Sequence, residues 1–155
     1  TRHVFMNSKV KEVTQMKLQS YYFDATGKAY QIAERIAREY RVKADKIPPA
    51  YQPEREAVLF VTIESGNAPE PVTKFLRTLT PAKAKSIAFC VIGKNLDGLE
   101  TMKEAVKDTG VKIHDNVYEC HVERGGLFKK AKLTQEQIDH AIVWTEEVLA
   151  AQQQG

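Results

Sequence analysis

Residues 17 to 40 read KLQSYYFDATGKAYQIAERIAREY, and the whole chain is organised around this stretch. Tyr21, Tyr22 and Phe23 form an aromatic, β-favouring run. A polar turn follows, Asp24-Ala25-Thr26-Gly27-Lys28. Then Ala29, Ile32, Ala33, Ile36, Ala37 and Tyr40 recur with the period of a helix that buries one face. The stretch therefore predicts a strand, a tight turn and an amphipathic helix packed on a sheet. Such a turn leaves the first N–H groups of the helix without partners inside it. The helix dipole adds partial positive charge there. Gly27 allows close backbone approach, Thr26 offers a hydroxyl and Lys28 a charge. These features suit a phosphate at a helix N-terminus. An ordinary helix cap, with Asp24 or Thr26 as the capping residue, fits the same residues.

Working outward, residues 44 to 51 contain Pro48 and Pro49, which limits them to a short edge strand. Residues 57 to 63, AVLFVTI, form an unbroken apolar run, as in a parallel strand covered on both faces. A polar loop, 64 to 69, leads to Pro71 in the first turn of a helix, with Val72, Phe75, Leu76 and Leu79 inward. Residues 86 to 92, SIAFCVI, give another buried strand. Asp97 and Glu100 have capping-box spacing ahead of Leu99, Met102, Ala105, Val106 and Thr109, and Gly110 ends that helix.

A fifth strand region spans Val111 to Glu123, with an interruption near Asp115-Asn116. Tyr118, Cys120 and Val122 share one side of it, and Arg124-Gly125-Gly126 breaks it. The last helix opens on a Thr134/Gln137 capping box. Ile138, Ala141, Ile142, Thr145, Val148 and Leu149 form its inner face, and Trp144 is read as packing. Gln152 onward is read as a fraying polar end. The order is β-α-β-β-α-β-α-β-α. Such alternation means a mostly parallel sheet with helices on both faces. Right-handed crossovers gather the loops 24–28, 64–70 and 93–98 at one edge, where ligands of such sheets bind.

Composition sets the bounds. The 155 residues are 43% hydrophobic and 28% charged, with net charge +3, as expected of one globular domain. Charge this small and scattered does not argue for nucleic acid. No apolar stretch reaches transmembrane length. The polar start lacks a signal-peptide core. We read residues 1–16 as an N-terminal arm or an artificial leader, with Met6 or Met16 as a natural start. Residues 17–150 form the domain and 151–155 a polar tail. Cys90 and Cys120 fall in apolar runs, as reduced core thiols of a cytoplasmic protein would.

Residues 17 to 150 resemble the flavodoxin-like family. Phe23-Asp24-Ala25-Thr26-Gly27-Lys28 resembles its phosphate loop after strand one. Ser65-Gly66-Asn67-Ala68-Pro69-Glu70-Pro71, then Phe75-Leu76, resembles the loop and helix after strand three. Val91-Ile92-Gly93, then Lys94 to Gly98, resembles the loop that lies along the flavin. Gly125-Gly126-Leu127 with Lys129-Lys130 resembles a stretch of flavodoxin-fold quinone-dependent oxidases of haem synthesis.

The resemblance implies a three-layer α/β/α sandwich around a five-stranded parallel sheet of order 2-1-3-4-5, with FMN at its edge; flavodoxin is the standard example of this placement. It implies phosphate held by the 24–28 turn at Thr26, Gly27 and Lys28. Backbone groups of Ser65, Gly66 and Asn67 would meet the ring near its reactive nitrogen, and Gly66 would let its peptide flip as the ring gains a proton. Gly93, Asn95 and Leu96 would bond and flank the rest. The implied function is electron transfer or reduction of a small quinone-type substrate, with a redox partner protein or small acceptor.

The chain departs from the pattern in two ways. Asp24 and Ala29 stand where the family has hydroxyls, and Asp24 brings negative charge toward a phosphate. Neither 64–71 nor 94–99 holds an aromatic that could stack on a flavin. These departures keep open a flavin-free module that binds a protein partner or another anionic ligand.

Other motifs fail. A Walker loop needs Gly and Ser or Thr where the chain has Tyr22 and Ala29. A receiver domain needs an acidic pair after strand one and an Asp ending strand three, against Asp24 alone and Thr62-Ile63-Glu64. His114-Asp115 and His121-x-Glu123 lack a third metal ligand of suitable spacing. His3 lies in the arm and His140 on a helix, and no nucleophile–His pair is legible.

Overall fold

The computed structural model describes residues 16–64, 68–93, 97–122 and 132–154. The opening stretch forms β1 (Leu18–Phe23) and α1 (Lys28–Glu39), followed by β2 (Ala44–Lys46) and β3 (Ala57–Glu64). Then come α2 (Glu70–Arg77), β4 (Ala84–Ile92), α3 (Asp97–Lys107), β5 (Lys112–Ile113), β6 (Tyr118–Cys120) and α4 (Gln135–Gln154). The strands run β2-β1-β3-β4-β5, and every pairing is parallel. β6 also pairs with β4, further along the same side, opposite Cys90, Val91 and Ile92. β5 and β6 thus share the fifth position as two short segments, which is the order 2-1-3-4-5 with a broken last strand.

The break is where Asp115-Asn116 predicted it. Trp144 reaches across from α4, and its indole N–H donates to the Asn116 carbonyl at 2.8 Å. That carbonyl is thereby satisfied without a ladder partner.

Alternation along β3 divides the core between the two faces. Ala57, Leu59, Val61 and Ile63 pack with α2 and α3 residues such as Val72, Phe75, Leu76, Met102 and Val106. Val58 and Phe60 pack on the other face with Ile32 and Ile36 of α1 and Trp144, Val148 and Leu149 of α4. The predicted inner faces of α1 and α2 are buried. Cys90 and Cys120 are buried free thiols on the α1/α4 side. β2 is a short edge strand that ends before Pro48 and Pro49.

Helix ends follow the sequence with two adjustments. The Thr134/Gln137 box closes in both directions: Gln137 N–H donates to Thr134 Oγ1 at 3.1 Å, and Thr134 N–H to Gln137 Oε1 at 2.9 Å. α3 begins at Asp97 itself, so Asp97 and Glu100 both lie in its first turn, where carboxylates suit the dipole. The fraying end expected from Gln152 is corrected. α4 continues to Gln154, and Gln152 is buried with Oε1 3.1 Å from His114 Nε2. A polar side chain with a buried partner holds the last turn in place.

Candidate functional site

Parallel pairing sets Phe23 beside Ile63, so the chain leaves β1 next to Glu64, the last residue of β3. Glu64 in turn is in register with Ile92 of β4. The turn after β1 and the exit from β3 therefore meet at the middle of the sheet's carboxyl edge.

Gly27 makes the turn. Its φ of 96° and ψ of −6° are left-handed, and α1 starts at the next residue. The Asp24 carboxylate folds back onto the helix. It accepts the Ala29 N–H at 2.8 Å and the Tyr30 N–H at 3.1 Å. These are two of the N–H groups a helix leaves unpaired, so Asp24 acts as its cap from across the turn.

With Asp24 engaged on the helix amides, the remaining donors converge on one group, the Glu64 carboxylate. It accepts the Thr26 N–H at 2.7 Å, and also the Ala25 N–H and the Thr26 hydroxyl. Lys28 Nζ donates to Thr26 Oγ1 at 2.8 Å and stands 3.7 Å from the same carboxylate. Glu64 and Lys28 are mostly enclosed, with 12% and 18% of their side chains exposed.

The electrostatics follow from these contacts. Burial pushes the Glu64 carboxyl upward. The hydrogen bonds from Thr26 and Ala25, with the charge of Lys28, outweigh burial and hold it below the ordinary carboxylate value. Asp24 is raised, chiefly by burial; repulsion from Glu64 adds to this, against the opposing bonds from Tyr30 and Ala29.

Two backbone amides, a hydroxyl and an ammonium gathered on an oxyanion are the donor kinds a terminal phosphate takes. Here they are taken by the Glu64 carboxylate. The structure thus brings the Ala25 and Thr26 donors and Lys28 together on Glu64, with Gly27 shaping the turn, and places the Asp24 carboxylate on the helix amides.

Ala68 is half-buried against the α2/α3 core. Gly93, at φ 134°, donates its N–H to the Cys120 carbonyl at 2.9 Å, so that amide extends the sheet. Ser65, Gly66, Asn67, Asn95 and Leu96 lie outside the described residues, as do 125–130. Sequence reasoning missed Glu64. The only trace was an acid closing the apolar run of β3, noticed in the comparison with receiver domains.

A groove of about 470 Å³ opens elsewhere, between Pro48, Pro49 and Tyr51 and the Pro71 and Phe75 side of α2, and no residue of the turn lines it. Among the described residues, no three His, Cys, Asp or Glu side chains are grouped to hold a metal. His114 is a core residue, and no described helix is long and apolar enough to cross a membrane.

Among solved structures, the chain is similar to the metal-soaked Flv1 flavodiiron core from Synechocystis sp. PCC6803, with a TM-score of 0.58. The fold is flavodoxin-like. The match has 14% identity and covers 99% of this chain but only 41% of the other, so the likeness concerns the fold alone. No family model matches the chain, and no curated protein does. Within this flavodoxin-like sheet, the cradle of donors around Glu64 occupies the turn after the first strand, on the carboxyl edge where ligands of open α/β sheets bind.

Proposed function

We propose that this chain is an FMN-binding redox protein, which carries electrons or reduces a small quinone-type substrate. The observation that carries the reading is the convergence of the Ala25 and Thr26 donors and Lys28 on one oxyanion at the carboxyl edge. Bound FMN would supply the electron transfer. The chain's own part is to hold and orient it. Ala25, Thr26 and Lys28 would bind the phosphate, and Gly27 would shape the turn. Asp24 keeps the first turn of α1 capped, which fixes the direction of the neighbouring amides. Ser65, Gly66, Asn67 and Ala68 on one side, and Gly93, Asn95 and Leu96 on the other, would flank the ring. The acceptor would be a redox partner protein or a small molecule. The buried thiols Cys90 and Cys120 suit a reducing compartment such as the cytoplasm.

The same carboxylate favours a second reading. Glu64 would close the cradle permanently, and the edge would serve a flavin-free module that binds a protein partner or another anionic ligand. Saturation with FMN, removal of the excess and a visible spectrum separate the two. A retained yellow chromophore with altered fluorescence is expected. A colourless protein that leaves free-flavin fluorescence unchanged on titration would favour the second reading.

A further inference from the structure

We propose that Glu64 sets ligand selectivity at this edge, as a built-in competitor for the phosphate of a flavin. The inference rests on the flavin reading above and concerns which flavin the chain prefers. The donors of the cradle are already engaged: the Ala25 and Thr26 amides and the Thr26 hydroxyl all point at Glu64. Lys28 is the cation beside it, and Asp24 is a second carboxylate held on the helix amides. Among the described residues, one positive charge thus already faces two carboxylates.

A phosphate dianion cannot share these donors with Glu64. Like charges at hydrogen-bond distance, half shielded from water, repel strongly. Either Glu64 swings out or the phosphate stays in solvent. Swinging out strips the carboxylate of charge-assisted bonds, which are the stronger kind. A flavin without phosphate asks for no such change, because Glu64 continues to satisfy the turn. The chain therefore discriminates little between FMN and riboflavin, and removal of Glu64 makes it FMN-selective.

The test is fluorescence titration of the full chain with FMN and with riboflavin, for wild type, Glu64→Ala and Glu64→Gln. Thermal unfolding of the same proteins with and without inorganic phosphate accompanies it. Glu64→Gln keeps an acceptor for the turn without the charge, so it carries the test if Glu64→Ala fails to fold. In either variant, FMN should bind at least about tenfold tighter, with riboflavin nearly unchanged. An FMN-to-riboflavin affinity ratio that is the same in wild type and variants overturns the role of Glu64 and leaves the flavin reading intact. If no protein binds either flavin, the flavin reading fails. Phosphate that then stabilises only the variants still supports Glu64 as the competing anion, and phosphate without effect on any of them overturns that too.

Discussion

Glu64 and Thr26 lie 38 residues apart and meet through both the amide and the hydroxyl of Thr26, the amide at 2.7 Å. This contact ties the exit of β1 to the end of β3. It also helps to hold Glu64 below its ordinary value while burial raises Asp24, so the two carboxylates respond to acid in opposite senses. Glu64 is depressed in the folded state, so its contribution to stability is complete above the ordinary carboxylate range. That contribution is lost as pH falls through the depressed value. Asp24 is raised, so its contribution is present at low pH and is lost as pH rises through the raised value. Carboxyl carbon NMR should therefore find Asp24 titrating above its ordinary value and Glu64 below its own. Glu64→Gln should move Asp24 back toward its ordinary value, because the repulsion is gone. An Asp24 titration that is the same in both proteins contradicts this account.

Gly27 sets the turn through its backbone rather than through crowding. A Cβ built there meets nothing within 4 Å, but its φ is +96°. Left-handed backbone costs a residue with a Cβ about 1–2 kcal/mol. Gly27→Ala should lower stability by that amount in urea titrations. Gly27→Asn should cost less, since Asn tolerates this region, and Gly27→Val should cost more. Equal stability across the series would show that the turn is not held left-handed.

His114 is the buried polar link between the sheet edge and the end of α4. Its Nε2 lies 2.8 Å from Ser86 Oγ and 3.1 Å from Gln152 Oε1. Burial, then the charge of Lys112, pushes the imidazole below its ordinary value, against weaker opposing effects of Gln152 and Asp115. Its contribution is complete above about pH 6.5 and is lost as pH falls toward the depressed value. His114→Gln should remove this part of the acid sensitivity. Urea unfolding followed by Trp144 emission reads it directly, since Trp144 is the chain's one tryptophan. Parallel stability–pH curves for variant and wild type would show that His114 does not titrate with folding.

Most of the fold was legible because its signals are local. The apolar runs at 57–63 and 86–92 became the central strands, and the inner residues of α1 are spaced by the helical period. The capping box at Thr134 needed only four residues to be seen. What escaped depends on distant partners. Gln152 reads as a tail residue until His114 is folded against it. Asp24 reads as a ligand-facing charge or as a cap, and its contacts with the Ala29 and Tyr30 amides are seen only in the folded chain. Glu64 had no local signal for its role, because its donors arrive from the other side of a β-α-β crossover.

The measurement that tests the central claim most directly is phosphorus NMR of FMN with a slight excess of the full Glu64→Gln chain, in which the competing carboxylate charge is gone. The account predicts a bound phosphate resonance displaced from that of free FMN. It also predicts that this resonance holds its position across the pH range in which free FMN titrates, because the Thr26 and Lys28 donors fix the charged form. A resonance that stays at the free position and titrates as free FMN does would contradict the assignment of the 24–28 turn as the phosphate site.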